Sequence, residues 1–131
     1  MNPLTEKTLL LVVDEPHMLR LLQFALRKTG AKTLEATSGR AALNLAATQT
    51  VDLVVIDFMM PELDGFATLR ELRRDPKYAK IPVIMLTSRG QLELRDTAEG
   101  LGIELFLTKP FSPAEMVQHV RRLLGADPAA S

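Results

Sequence analysis

Val51-Asp52-Leu53-Val54-Val55-Ile56, stopped by Asp57, is a short apolar run interrupted by a single acid. It is too short for an ordinary helix and does not alternate, so it reads as a strand covered on both faces, as found at the centre of a parallel sheet. Leu9-Leu10-Leu11-Val12-Val13 before it and residues 81–86 after it have the same character. Lys32-Thr33-Leu34-Glu35-Ala36 and Ile103-Glu104-Leu105-Phe106-Leu107 instead alternate polar or aromatic with aliphatic residues, the pattern of half-exposed edge strands. Five strands follow, with the second and fifth outermost.

Between the strands the period becomes helical. Met18, Leu21, Leu22, Ala25 and Leu26 form one apolar stripe, and Met116, Val117, Val120, Leu123 and Leu124 another. Pro16 suits a first helical turn, Gly30 a helix end, and Ser38 and Asp64 helix N-caps. Ser112-Pro113-Ala114-Glu115 spells a capping box with proline at its first helical position. Residues 91–99 carry the weakest helical pattern and are flanked by Gly90, Gly100 and Gly102, which marks them as the expected most mobile element. Strands alternating with helices over short connections imply right-handed crossovers, helices on both faces, and the strand order 2-1-3-4-5 of a doubly wound α/β sheet. One domain is expected over residues 1–131, with its core at about 8–124 and residues 125–131 a tail or the start of a linker.

In such a sheet ligands bind beyond the carboxyl ends of the strands where the order reverses, here between strands one and three. Strand one ends at Asp14 and Glu15, strand three at Asp57, strand four at Thr87 and Ser88, and strand five at Thr108 and Lys109. Three carboxylates, hydroxyls and an ammonium are thus expected on one rim. Crowded carboxylates call for a cation, and an all-oxygen set suits Mg2+ or Mn2+ shared with a phosphate. Lys109 and Thr87 would then face the oxygens of a phosphoryl group in transfer to a carboxylate nucleophile.

Val12-Val13-Asp14-Glu15-Pro16, Asp57-Phe58-Met59-Met60-Pro61-Glu62-Leu63-Asp64-Gly65, Leu86-Thr87-Ser88 and Phe106-Leu107-Thr108-Lys109-Pro110-Phe111 together resemble the CheY-like receiver domain of response regulators in two-component signal transduction. Each segment alone is weak; four in order, from about Thr8 to Leu124, are specific. The resemblance implies a flavodoxin-like (βα)5 fold and a phosphoacceptor role for Asp57. It implies that the backbone carbonyl of Met59 binds the metal, that Thr87 is the switch hydroxyl, that Lys109 binds phosphate, that Phe106 is the aromatic that turns inward on activation, and that Lys109-Pro110 is a cis peptide.

The family carries two adjacent acids after strand one, and here the pattern departs. Counting back from Gly30 puts Asp14 on the second acid, the direct metal ligand, and Val13 on the first. Counting forward puts Asp14 on the first and Glu15 on the second. The first alignment keeps Glu15-Pro16 in its usual place and is preferred, Glu15 then being an acid favoured by the helix N-terminus. Either alignment leaves an atypical metal site with weakened Mg2+ affinity. Ser88, with its hydroxyl, and Met59 and Arg89, flanking the acceptor, are expected to shape the phosphate's surroundings.

The implied partners are a sensor histidine kinase or phosphotransfer protein as donor, and an effector protein or an output domain absent from this chain as reader. The reader is expected on the surface of the fourth helix, fifth strand and fifth helix. The chain is expected to be a monomer or weak dimer, since Leu105 stands where DNA-binding regulators of this kind often carry an interface acid. It is not expected to be an enzyme beyond promoting its own phosphorylation and dephosphorylation. The alternative is a pseudo-receiver, a protein-interaction module that takes no phosphate, motivated by the missing acid. Two phosphate-handling fold-mates fit less well: haloacid dehalogenase phosphatases need an acid where Met59 stands, and the acids after strand one would repel a flavodoxin's phosphate.

Composition sets the outer limits. Sixteen basic residues balance sixteen acidic ones, so no long-range positive field holds nucleic acid or an anionic membrane. With no cysteine, disulfide, thiol and zinc-thiolate chemistry are excluded. Apolar runs fall far short of the roughly twenty residues that span a bilayer, and a cytoplasmic location is the expectation. His17 and His119 read as surface residues, Met18, Met85 and Met116 as core filler, and Arg121-Arg122 as a solvated face.

Overall fold

In a computed structural model of the chain, residues 4–60, 63–88 and 100–125 are described. The expected helix at 91–99, Arg89, Gly90, Pro61-Glu62 and the tail from 126 lie outside them. Five parallel strands, β1 (Thr8–Val12), β2 (Lys32–Ala36), β3 (Leu53–Asp57), β4 (Val83–Thr87) and β5 (Leu105–Thr108), form one sheet in the order β2-β1-β3-β4-β5. This is the strand order of a doubly wound, flavodoxin-like sheet. Helices α1 (Pro16–Arg27), α2 (Gly39–Thr48), α3 (Gly65–Arg73) and a C-terminal helix (Pro113–Leu123) cover its faces, with a short 3-10 turn at Pro76–Tyr78.

The apolar runs become strands because alternate side chains feed two separate cores. Leu10, Val12, Val54, Ile56, Val83 and Met85 enter the core under α2 and α3; Leu9, Leu11, Val13, Leu53, Val55, Ile84 and Leu86 enter the one under α1 and the C-terminal helix. Each fully buried aliphatic chain contributes roughly 1.5–3 kcal/mol, so a charge at Val55 would disrupt β3 and the layer of α1 and the C-terminal helix that rests on it. Strands three and four begin two residues later than the apolar pattern, at Leu53 and Val83, and β5 at Leu105. Asp52 explains the first case: its carboxylate accepts from the Thr8 N–H (2.8 Å), so it caps β1 rather than extending β3.

The caps at Ser38, Asp64 and Ser112 form as expected, each side chain accepting from a backbone N–H of its helix. Gly30 has φ 85° after α1. The α1 stripe is narrower than its period suggests. Leu22, Ala25 and Leu26 are buried, Met18 is half-buried, and Leu21 is 43% exposed. Phe24, further along the same helix, also faces out. Met85 and Met116 are fully buried, His17 is exposed, and His119 lies on the surface of the C-terminal helix beside Glu115 and Arg122.

Candidate functional site

Asp57 is the last residue of β3 and is only 3% exposed, because β1 and β4 flank its strand. Two backbone contacts fix the turn beyond it: the Phe58 N–H donates to Leu86 O (3.0 Å) and the Gly65 N–H to Phe58 O (3.0 Å). A Cβ on Gly65 would stand 2.9 Å from Phe58 Cα and 3.0 Å from Asp57 O, so only glycine lets the start of α3 close on this turn. The Met59 N–H donates to Asp57 Oδ1 (3.1 Å), which orients the carboxylate, while the Met59 side chain is exposed.

Lys109 lies just beyond β5 and is carried in by the strand ladder. Its N–H donates to Thr87 O (2.7 Å), its peptide with Pro110 is cis, and its Nζ reaches Asp57 Oδ1 (3.2 Å) and Oδ2 (3.1 Å). An ion pair this buried is not a stability device, since desolvation offsets most of its attraction; what it does is hold a positive charge against the carboxylate. Thr87, at the end of β4, is 1% exposed, and its Oγ1 has no hydrogen-bond partner among the described residues. A buried hydroxyl left in this state costs about 1–3 kcal/mol. Phe106 is half-buried, packs against the core under α2 and α3, and pairs in register with Met85.

The β1 side of the rim is organised differently. Val13 has no exposed surface, joins the core beside Leu9 and Leu11, and donates its N–H to Ala36 O (3.0 Å). Asp14 is exposed. Glu15 is the N-cap of α1: its two carboxylate oxygens accept from the His17 N–H (2.9 Å) and the Met18 N–H (2.8 Å). Those two N–H groups hold the Glu15 carboxyl below the usual glutamate range, with smaller help from the charges of His17 and Arg20. Among the described residues no group of three or more acids, cysteines or histidines gathers as a metal cage, and the Glu15 carboxylate is taken up by the α1 N–H groups. The remaining donors, the Asp14 and Asp57 carboxylates and the Met59 carbonyl, are hard oxygens. They fit Mg2+, which keeps several waters and needs only one or two carboxylates.

A groove of about 260 Å3 opens beside Lys109, lined by Glu15, His17, Met18, Leu21, Pro110 and Phe111. Periodicity placed Leu21 in the core, so nothing in the pattern announced this groove; its walls belong to elements far apart in the chain. Among the described residues no helix is long and apolar enough to cross a membrane.

Comparison with known proteins agrees with this geometry. Residues 9–121 match the response regulator receiver domain family. The alkaline phosphatase synthesis transcriptional regulatory protein PhoP of Bacillus subtilis is 36% identical over 118 residues, covering 90% of this chain and 48% of PhoP. The DNA-binding dual master transcriptional regulator RpaA of Synechocystis is 37% identical over 116 residues, covering 88% of this chain and 48% of RpaA. The chain thus spans about half the length of these curated relatives. The signal receiver domain of a histidine kinase from Syntrophus aciditrophicus superposes with a TM-score of 0.83 at 32% identity, over 95% of each chain. The receiver domain of a Pseudomonas aeruginosa sensor histidine kinase, with a magnesium ion coordinated in its active site cleft, gives a TM-score of 0.82 at 29% identity, over 91% of this chain and 98% of that one. With these matches and this rim, the chain belongs to the response regulator receiver domain family.

Proposed function

We propose that this receiver domain works as a phosphorylation switch with Asp57 as the acceptor, the donor being a sensor histidine kinase or phosphotransfer protein. The observation that carries this is the pairing of a buried, lysine-clamped carboxylate with a buried hydroxyl at the adjacent strand end that has no partner among the described residues. Lys109 donates to both Asp57 oxygens, but only Oδ1 also takes the Met59 N–H, so Oδ2 is the less encumbered nucleophile. As Oδ2 bonds to phosphorus, the P–N bond to the donor's imidazole breaks and its electron pair stays on that nitrogen. Lys109 then moves its charge from the carboxylate to the phosphoryl oxygens, and Thr87 Oγ1 gains an acceptor.

Asp14, Asp57 and the Met59 carbonyl would hold the metal, Mg2+ or Mn2+, with Glu15 left to cap α1. When bound, the metal neutralises carboxylate and phosphoryl charge together. Phosphorylation replaces the single carboxylate charge with an acyl phosphate carrying about two, a net gain of about one negative charge placed further out on the phosphoryl oxygens. Thr87 and Lys109, tied together by the Lys109 N–H, respond to that charge, and Phe106 repacks with β5. The face of β5 and the C-terminal helix is where an effector or an attached output domain reads the state, in the cytoplasm, without this chain itself holding nucleic acid. The chain is not an enzyme beyond promoting its own phosphorylation and dephosphorylation, and acts as a monomer or weak dimer.

One observation favours a second reading, a pseudo-receiver that binds partners without phosphate: Val13 is buried in the core where the family's first acid would stand. Incubation with Mg2+ and acetyl phosphate, followed by intact-mass measurement, separates the two. A single phosphoryl adduct on wild type, absent from Asp57→Ala, is the expected result. A wild type that takes no phosphate selects the pseudo-receiver.

A further inference from the structure

Arg73, the last residue of α3, lies at the opposite end of the sheet from Asp57. Its guanidinium donates to four backbone carbonyls: Nε to Leu101 (3.0 Å), Nη2 to Gly102 (3.0 Å), and Nη1 to Tyr78 (3.0 Å) and Ile81 (2.7 Å). The first two precede β5 and the second two precede β4. Gly102 has φ 67° and sits so close that an added Cβ would stand 3.4 Å from Nη2. A planar fork satisfies carbonyls arranged like this; a lysine ammonium, donating from one point, does not span them.

Helix α3 therefore fastens both ends of this half of the sheet. Its first residue, Gly65, closes on the Asp57-Phe58 backbone, and its last holds the leading ends of β4 and β5. β5 is a four-residue edge strand bonded to β4 alone, the kind of element that frays and slips. Lys109 rides on its far end, roughly 20 Å of extended chain from Gly102. A slip of β4 against β5 by one residue would take Nζ out of reach of both Asp57 oxygens.

We propose that Arg73 is a positioning residue for the phosphoacceptor site: by pinning the leading ends of β4 and β5 to α3, it sets their stagger and so places Lys109 at Asp57. The proposal rests on Asp57 being the acceptor, and the test has an arm that does not. In the first arm, hydrogen exchange is followed at the Glu104 and Lys109 amides, bonded to Val83 O and Thr87 O, and at the Val13 amide, bonded to Ala36 O in the other half of the sheet. Arg73→Met accelerates the first two by about tenfold or more and Val13 by less than about threefold, and Arg73→Lys acts in the same direction. Uniform acceleration at all three amides, or none, overturns the proposal.

In the second arm, phosphorylation by acetyl phosphate is timed in a double-mutant cycle. Arg73→Met slows it about tenfold in the wild-type background and has no further effect in Lys109→Met, because its influence runs through that lysine. An equal cost in both backgrounds overturns the proposal, a purely structural loss being indifferent to Lys109. If wild type takes no phosphate the acceptor reading fails by itself, and the exchange arm still decides for or against Arg73.

Discussion

On the β3–β5 side of the rim, Asp57 and Thr87 are buried, Lys109 is held by the Thr87 carbonyl, and each side chain's position follows from a strand ladder. On the β1 side, Asp14 is exposed, Glu15 is committed to α1, and Val13 has joined the core. The contrast separates two tasks that a phosphoacceptor must perform. Under the proposed function, the groups that would meet the phosphoryl oxygens are already in place, whereas those that would hold the metal are sparse and would need water to complete the shell. Binding of the metal, rather than readiness of the nucleophile, is expected to limit the response.

The contrast is tested most severely at Lys109. Lys109→Met leaves a buried carboxylate unpaired, and is expected to lower the unfolding free energy by about 3 kcal/mol in denaturant titration and to slow adduct formation about 100-fold by timed mass measurement. An unfolding free energy within about 1 kcal/mol of wild type together with a rate within about twofold would show that the β3–β5 side is not preorganised.

Val13→Asp probes the opposite side. Burying a lone carboxylate there is expected to cost about 2 kcal/mol without metal, and to tighten Mg2+ binding about tenfold in calorimetric titration, so that added Mg2+ raises the melting temperature of the variant more than that of wild type. Unchanged Mg2+ affinity would show that the site is complete without a second acid.

Thr87→Val removes a hydroxyl that has no partner among the described residues. The unphosphorylated protein is expected to keep its stability or gain about 1 kcal/mol, while the phosphorylation-driven change in the Phe106 amide NMR signal shrinks. A loss of stability would mean that Oγ1 is satisfied in the resting state.

The smallest effect belongs to Glu15→Gln. Because the folded carboxyl is held below its unfolded value of about 4.3, the cap's contribution is fully present at neutral pH and is lost as pH falls through the lower folded value. Wild type and variant should therefore differ in melting temperature at pH 7 and converge in acid. A gap independent of pH would assign the cap to geometry rather than charge.

Much of this was legible in the chain. The apolar runs named the central strands, and Ser38, Asp64 and Ser112 named three helix starts, because each of these signals is read locally. Leu21 was misplaced, since a period says which side of a helix is apolar and not how much of it a neighbour covers. Asp52 looked like part of a strand and caps another one 44 residues away, a partnership with no local mark.

Residue types and their order were enough to establish a doubly wound sheet with Asp57, Thr87 and Lys109 at its carboxyl rim, since strand period and strand ends place side chains without knowledge of their partners. That the Glu15 carboxylate caps α1, which oxygen of Asp57 is the more encumbered, and that Arg73 gathers four carbonyls from two loops depend on how the chain is arranged in space. Those are fixed by the stagger of strands and the packing of α3, neither of which a one-dimensional pattern contains.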